Sequence, residues 1–319
     1  MRSKGLGART SALALGAVVA ALVMPGAALA ARPAATTGGA ANVTFQSARV
    51  SGTVDANGEA TNYYFQYGTT RAYGTQTAAT PAGSSGSPVR FSVDLGGLAP
   101  ATRYHYRIVA QTASDTALGG DRAFTTRRQP LGVSLAASPN PIKVGDATTL
   151  AGTLSGTGNA NRKVVLQSNP WPYTQGFQPA ANEQVTNAQG GFSFPVLSVP
   201  WNTQFRVQMP DRPQVVSPIV ILGVRQHIST KVSKHRVRRG RRIRFSGRVT
   251  PARVGGSIAF QKKRGGTWVT VGGTIVHTGG RYARRVKIRR GGTFRVWTGV
   301  ADQQYTPTAG RSVRIRTFR

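Results

Sequence analysis

Residues 235–249 read HRVRRGRRIRFSGRV. In the second half of this stretch Ile243, Phe245, Gly247 and Val249 form an apolar or small row, and Arg242, Arg244, Ser246 and Arg248 alternate with it. A period of two is that of a β-strand with one buried face. The opposite face then carries a guanidinium about every 6.7 Å, twice the rise per residue of a strand.

Working outward, no window of the chain sustains an apolar period of 3.6 residues, and Gly and Pro are frequent, with 39 and 18 residues. Both features predict an all-β protein with short turns. The chain has no cysteine, so each domain must hold together on an ordinary apolar core rather than on disulfides. Its 319 residues leave room for two or three domains.

Residues 1–30 read as an address. Arg2, Lys4 and Arg9 make a positive start, residues 11–24 an apolar run, and Ala28-Leu29-Ala30 a small-residue cleavage site. The apolar run is shorter than the ~20 residues of a spanning helix, so a cleaved export signal is expected and no transmembrane segment in the mature chain. Residues 31–41, ARPAATTGGAA, contain no large apolar side chain and read as a flexible linker.

Residues 42–128 form the first expected domain. Leu98, Pro100, Thr102 and Tyr104 make the pattern L-x-P-x-T-x-Y, with Gly52-Thr53-Val54 and Tyr67-Gly68-Thr69-Thr70 upstream and Phe124-Thr125-Thr126 at the end. These residues resemble a fibronectin type III domain, in which this segment is similar to the tyrosine corner. The resemblance covers about 85 residues and implies a β-sandwich serving as spacer or binding module. It carries over no functional residues.

Residues 129–223 and 224–319 repeat one plan. Gly145 and Gly152 align with Gly240 and Gly247, Gln167 with Gln261, Gly190-Gly191 with Gly279-Gly280, Phe205-Arg206-Val207 with Phe294-Arg295-Val296, and Ser217 with Ser312. Strands are expected over residues 148–154, 163–167, 192–196, 204–209 and 217–222 of the first copy. The pair resembles the immunoglobulin-like domains of bacterial secreted and surface proteins. Three tandem immunoglobulin-like or fibronectin type III-like β-sandwiches after a cleaved signal peptide are therefore expected.

Charge separates the copies. Lys plus Arg against Asp plus Glu is 8 to 5 over residues 42–128, 5 to 3 over 129–223 and 25 to 1 over 224–319. A genomic preference for arginine does not explain a step between two copies encoded in one gene. Three readings of the basic domain follow: it binds an anionic polymer, its charge keeps an exported protein soluble, or it lies on an anionic membrane surface. Outside a cell the polymer would be a wall phosphopolymer, an acidic polysaccharide, lipopolysaccharide or extracellular nucleic acid. Other envelope proteins are the partners in a purely structural role. The expected contacts are Arg242, Arg244 and Arg248 on one strand, Arg285, Lys287 and Arg289 on a second, Arg314 and Arg316 on a third, with Arg236, Arg238, Arg239 and Arg241 around the Gly240 turn.

Trp171, Tyr173 and Phe177 lie in the Pro-rich segment NPWPYTQGFQP, where they either stack on sugar rings or cap the sandwich edge. Trp201 and Trp297 are equally two-sided, and Trp268 reads as packing. The signatures of common enzymes are missing: there is no GxSxG, HExxH or P-loop and no thiol nucleophile. The four histidines (105, 227, 235 and 277) are scattered. Asp94, Asp115 and Asp121 read as turn residues, and Asp55-Ala56-Asn57-Gly58 as a hairpin turn. No cofactor or metal is implied.

Overall fold

The computed structural model describes residues 32–299 and 303–319. The expected export signal and Asp302 lie outside them. The chain divides into two compact units, one running to Leu98 with Thr102–Thr126, the other comprising Ala99–Ala101 and Arg127–Arg319. Regular structure is almost wholly strand, and among the described residues no helix is long and apolar enough to cross a membrane.

The first unit contains β1 (Ala34–Ala41), β2 (Ala48–Asp55), β3 (Thr61–Gly68), β4 (Val89–Leu95), β5 (Arg103–Gln111) and β6 (Arg122–Thr125). One sheet runs β1-β2-β4, and the other is built on β3, β5 and β6. Val50, Val54, Phe65, Tyr106 and Ile108 alternate inward from both sheets and fill the space between them, with Leu98 and Tyr104 of the L-x-P-x-T-x-Y pattern beside them. Of the segment expected as a flexible linker, residues 34–41 instead form β1. At its centre the strand lies hard against β2, where a Cβ on Gly38 would meet Ser51 Oγ at 2.6 Å. Two further bonds tie it down: the Tyr106 hydroxyl donates to the Gly38 carbonyl at 2.8 Å, and the Ile108 N–H donates to buried Thr37 Oγ1 at 3.3 Å.

The second unit holds two sandwiches. The middle one contains β7 (Ala136–Ser138), β8 (Ile142–Lys143), β9 (Thr148–Ser155), β10 (Lys163–Pro170), β11 (Gly191–Val196), β12 (Thr203–Met209) and β13 (Val224–Arg225). The last has β14 (His227–Val232), β15 (Arg236–Arg238), β16 (Arg242–Thr250), β17 (Ser257–Arg264), β18 (Thr267–Ile275), β19 (Arg281–Lys287), β20 (Gly292–Thr298) and β21 (Val313–Phe318). Order and sense repeat. β7-β9-β11 matches β14-β16-β19, β10-β12 matches β17-β20, and the parallel pair β8-β13 matches β15-β21. The aligned glycines explain part of the shared spelling. A Cβ on Gly152 would sit 2.0 Å from the Ser134 carbonyl oxygen, and one on Gly247 1.9 Å from that of Ser229. Only a hydrogen lets the neighbouring strand approach so closely.

The expected strand over residues 217–222 is present only as Val220–Leu222. Ser217 turns its hydroxyl inward to accept the Val207 N–H at 2.9 Å, and Pro218 has no N–H for a ladder. The two sandwiches of this unit share a seam. Tyr305, from the loop after β20, is buried in the middle sandwich's core. Asn202 receives that loop, its Nδ2 donating to the Gln303 carbonyl at 2.7 Å while its Oδ1 accepts the Val224 N–H at 2.6 Å.

Every sandwich carries the same cross-strand device. Arg107 Nε donates to Gln66 at 2.8 Å, Arg206 to Gln167 at 2.7 Å and Arg295 to Gln261 at 2.8 Å. Each guanidinium then lies over an aromatic ring, Tyr73 at 4.6 Å, Phe177 at 4.2 Å and Trp268 at 4.3 Å. A planar cation on a ring face is a favourable contact. Three repetitions mark the sandwiches as variants of one module.

Candidate functional site

The sheet β14-β16-β19 buries Ile243, Phe245, Val249, Tyr282 and Val286 on one side. Period two therefore turns Arg242, Arg244 and Arg248 of β16 outward together with Arg285 and Lys287 of β19, all exposed. The register sets like charges opposite one another: Arg242 faces Lys287, Arg244 faces Arg285, and Arg248 faces Arg281. Lys231 of β14 stands opposite Ser246. Rows along each strand are about 6.7 Å apart and neighbouring strands about 4.8 Å, so seven cations form a lattice on one face.

Between the rows the side chains are small. Ser246 faces Ala283, which leaves a groove of about 540 Å³ walled by Lys231, Arg244, Arg248 and Arg281. The backbone beneath is fixed. Ser229 Oγ accepts the Arg248 N–H at 2.9 Å, Ser233 Oγ accepts that of Arg244 at 3.0 Å, and the buried Tyr282 hydroxyl donates to the Ser229 carbonyl at 2.7 Å. Among the described residues, every cation–carboxylate pair lies in the first two sandwiches, as in Arg49–Asp94 and Arg162–Asp211.

Not all the predicted contacts meet on this face. Arg236 and Arg316 are paired on β15 and β21 at the edge of the other sheet, with Arg238 and Arg314 beside them. Arg241 sits in the turn before β16. Arg289 lies beyond the end of β19, and Arg239 Nε reaches the Arg289 carbonyl at 3.1 Å. Sequence reasoning missed Lys231 and Arg281. The signal for Arg281 was available, because it continues the two-residue period of Arg285 and Lys287 on the other side of Ala283. It also missed Lys262, Lys263, Arg264 and Arg290, which gather with Arg239 and Arg289 around a cleft of about 880 Å³ at the end of the sandwich.

The aromatic segment is half-buried. Phe177 gives a ring face to Arg206. The Tyr173 N–H donates to the Pro170 carbonyl at 2.8 Å, its own carbonyl accepts from Asn169 at 3.2 Å, and burial pushes its hydroxyl pKa up. Trp171, Tyr173 and Phe177 thus belong to a loop folded on its own sheet. Trp201 packs against the middle core, and Trp268 is the ring beneath Arg295.

This architecture defines a class: tandem β-sandwiches of immunoglobulin-like strand order, the last bearing a cationic face. Neither a protein-family model nor a curated protein sequence matches the chain. Among solved structures it is similar to domains A168–A170 of titin, with 12% identity and a TM-score of 0.37 over 90% of this chain and 99% of that one. It is also similar to the FN1–FN3 domains of chicken CNTN1, with 14% identity and a TM-score of 0.31 over 89% and 99%. A third likeness, to the short sensor domain of the anti-sigma factor RsgI4 from Pseudobacteroides cellulosolvens, has 20% identity and a TM-score of 0.26 over 30% of this chain and 96% of that one. At these scores the fold class rests on the strand order itself.

Proposed function

We propose that this is an exported, non-enzymatic, modular binding protein whose C-terminal sandwich adheres to an anionic extracellular or cell-wall polymer, with the first two sandwiches as spacers. The observation that carries the reading is the like-charged register of β16 and β19. Directly opposed like charges destabilise a sheet, and solubility needs no such arrangement, since mixed charges of both signs serve it. A bound chain of phosphate, sulfate or carboxylate groups relieves the repulsion, and the arginine fork matches such oxyanions two bonds at a time.

The test is salt dependence. Residues 127–319, which keep the Tyr305 seam intact, are titrated with duplex DNA as a calibrated polyanion between 50 and 200 mM salt. Neutralising at least five phosphates gives a log-log slope of about −4 or steeper. Binding indifferent to salt, or residing in residues 32–126, sinks the reading in favour of a structural envelope component whose charge serves only solubility and retention. Anionic vesicles that capture the protein in the presence of excess soluble polyanion would instead point to a membrane surface.

A further inference from the structure

The cleft at the end of the last sandwich adjoins the strand face, shares Lys287 with it and is otherwise built from other residues. It opens where β17 ends and the chain passes from β19 to β20, and its lining includes Arg239, Lys262, Lys263, Arg264, Arg289 and Arg290, with no carboxylate. Its frame is built in advance. The Gly240 N–H donates to the Ile288 carbonyl at 2.8 Å, the Ile288 N–H to the Arg241 carbonyl at 2.9 Å, and the Gly291 N–H to Thr317 Oγ1 at 3.0 Å. Lys262 runs inward, with its ammonium 5.6 Å from the Phe294 ring centroid and donating to the Arg290 carbonyl at 2.8 Å. Glycine at 292 makes room for it, since a Cβ there would press on Lys262 Cε at 2.9 Å. An ammonium has three protons to donate; the Arg290 carbonyl accepts one.

We infer that this cleft binds a compact run of directly linked phosphoryl groups, a condensed phosphate, rather than the extended polymer assigned to the face. Seven cations converge on one cavity, whereas the groove on the face has four. A uronic acid polymer separates its carboxylates by at least a ring, and even a sugar ring bearing several sulfates hangs them from different carbons, so neither can place a charge on every successive linkage of its backbone. Linked phosphoryl groups can, and each offers several acceptor oxygens to Arg and Lys donors. Burial first, then the charges of Arg264 and Arg290, hold the Lys262 ammonium below the usual lysine range. A bound anion raises that value again, so binding at alkaline pH takes up a proton.

The assay is calorimetric titration of the full chain with inorganic tripolyphosphate, repeated in buffers of different ionisation enthalpy. Arg264→Gln/Arg290→Gln changes two exposed side chains and leaves the frame untouched. It is expected to weaken tripolyphosphate at least tenfold while duplex DNA binding stays within threefold. Arg244→Gln/Arg248→Gln on the face gives the reverse pattern. Lys262→Met abolishes the alkaline proton uptake. Wild-type affinity for tripolyphosphate in the cleft variant, or an equal loss in the face variant, overturns the inference. DNA failing to bind while tripolyphosphate binds through the cleft residues supports it and sinks the reading of the face.

Discussion

Arg285→Glu moves stability and binding in opposite directions. Arg285 is exposed and stands directly across from Arg244 in the β16–β19 register. Two like charges held about 6 Å apart in water repel by about 0.7 kcal/mol, less at physiological salt, where screening sets in over about 8 Å. Reversing one sign turns the repulsion into attraction of similar size. The net gain is about 1 kcal/mol, in line with what one cross-strand pair contributes, and raises Tm of the unit containing residues 127–319 by about 2–4 °C. The same change removes one cation from the face and adds an anion. The log-log salt slope for duplex DNA then becomes shallower by about 1 to 2, and affinity falls. Thermal melting and salt titration of one preparation supply both numbers. A variant that melts higher yet binds polyanion with unchanged slope refutes a binding role for the face, and one that melts lower refutes the account of the register.

Other substitutions test the frame. Gly247→Ala puts a Cβ 1.9 Å from the Ser229 carbonyl oxygen and is expected to cost about 3 kcal/mol in urea unfolding; Gly152→Ala, at 2.0 Å from Ser134, behaves alike. Tyr305→Ala empties a buried site in the middle sandwich's core, costs about 3–5 kcal/mol, and splits calorimetric unfolding of residues 127–319 into two transitions. In the first unit, burial works against ionised Asp121, but hydrogen bonds from His105 and Tyr73 and the nearby charges of His105 and Arg71 prevail and hold its pKa below the ordinary value. Its contribution is therefore complete above about pH 4, the unfolded value, and is lost as pH falls through the depressed one. Asp121→Asn is expected to cost about 1–2 kcal/mol at neutral pH and to flatten the acid limb of a urea-midpoint profile. An unchanged acid limb would remove Asp121 from the account.

Alternation along residues 242–249 was enough to place the buried and exposed sides of β16, because period two follows directly from strand geometry. The duplicated letters likewise marked one plan, and Gly152 and Gly247 recur for a steric reason. Absent from the one-dimensional pattern was everything set by pairing. β1 looked like a linker because its alanines and glycines are the letters that spell flexibility, although Gly38 is there for its close approach to Ser51 of β2. The opposition of Arg244 and Arg285 depends on register across an intervening hairpin. Lys262, Lys263 and Arg264 follow one another in sequence, yet they meet Arg290 and Arg239 only through the stacking of three turns at one end. The Arg-on-aromatic device was half visible, in the aligned Gln167 and Gln261 with Arg206 and Arg295. Its third instance, Gln66, Arg107 and Tyr73, needed the fold. Loop length also hid the seam, since nothing near residue 305 signals burial in a neighbouring sandwich.

Binding at the cationic face is read out by amide and guanidinium chemical-shift changes across residues 127–319 on titration with a long anionic polymer. The changes are expected to concentrate at Lys231, Arg242, Arg244, Arg248, Arg281 and Arg285, with the middle sandwich silent. Shifts spread evenly over all basic side chains, or centred on the middle sandwich, would contradict binding at that face.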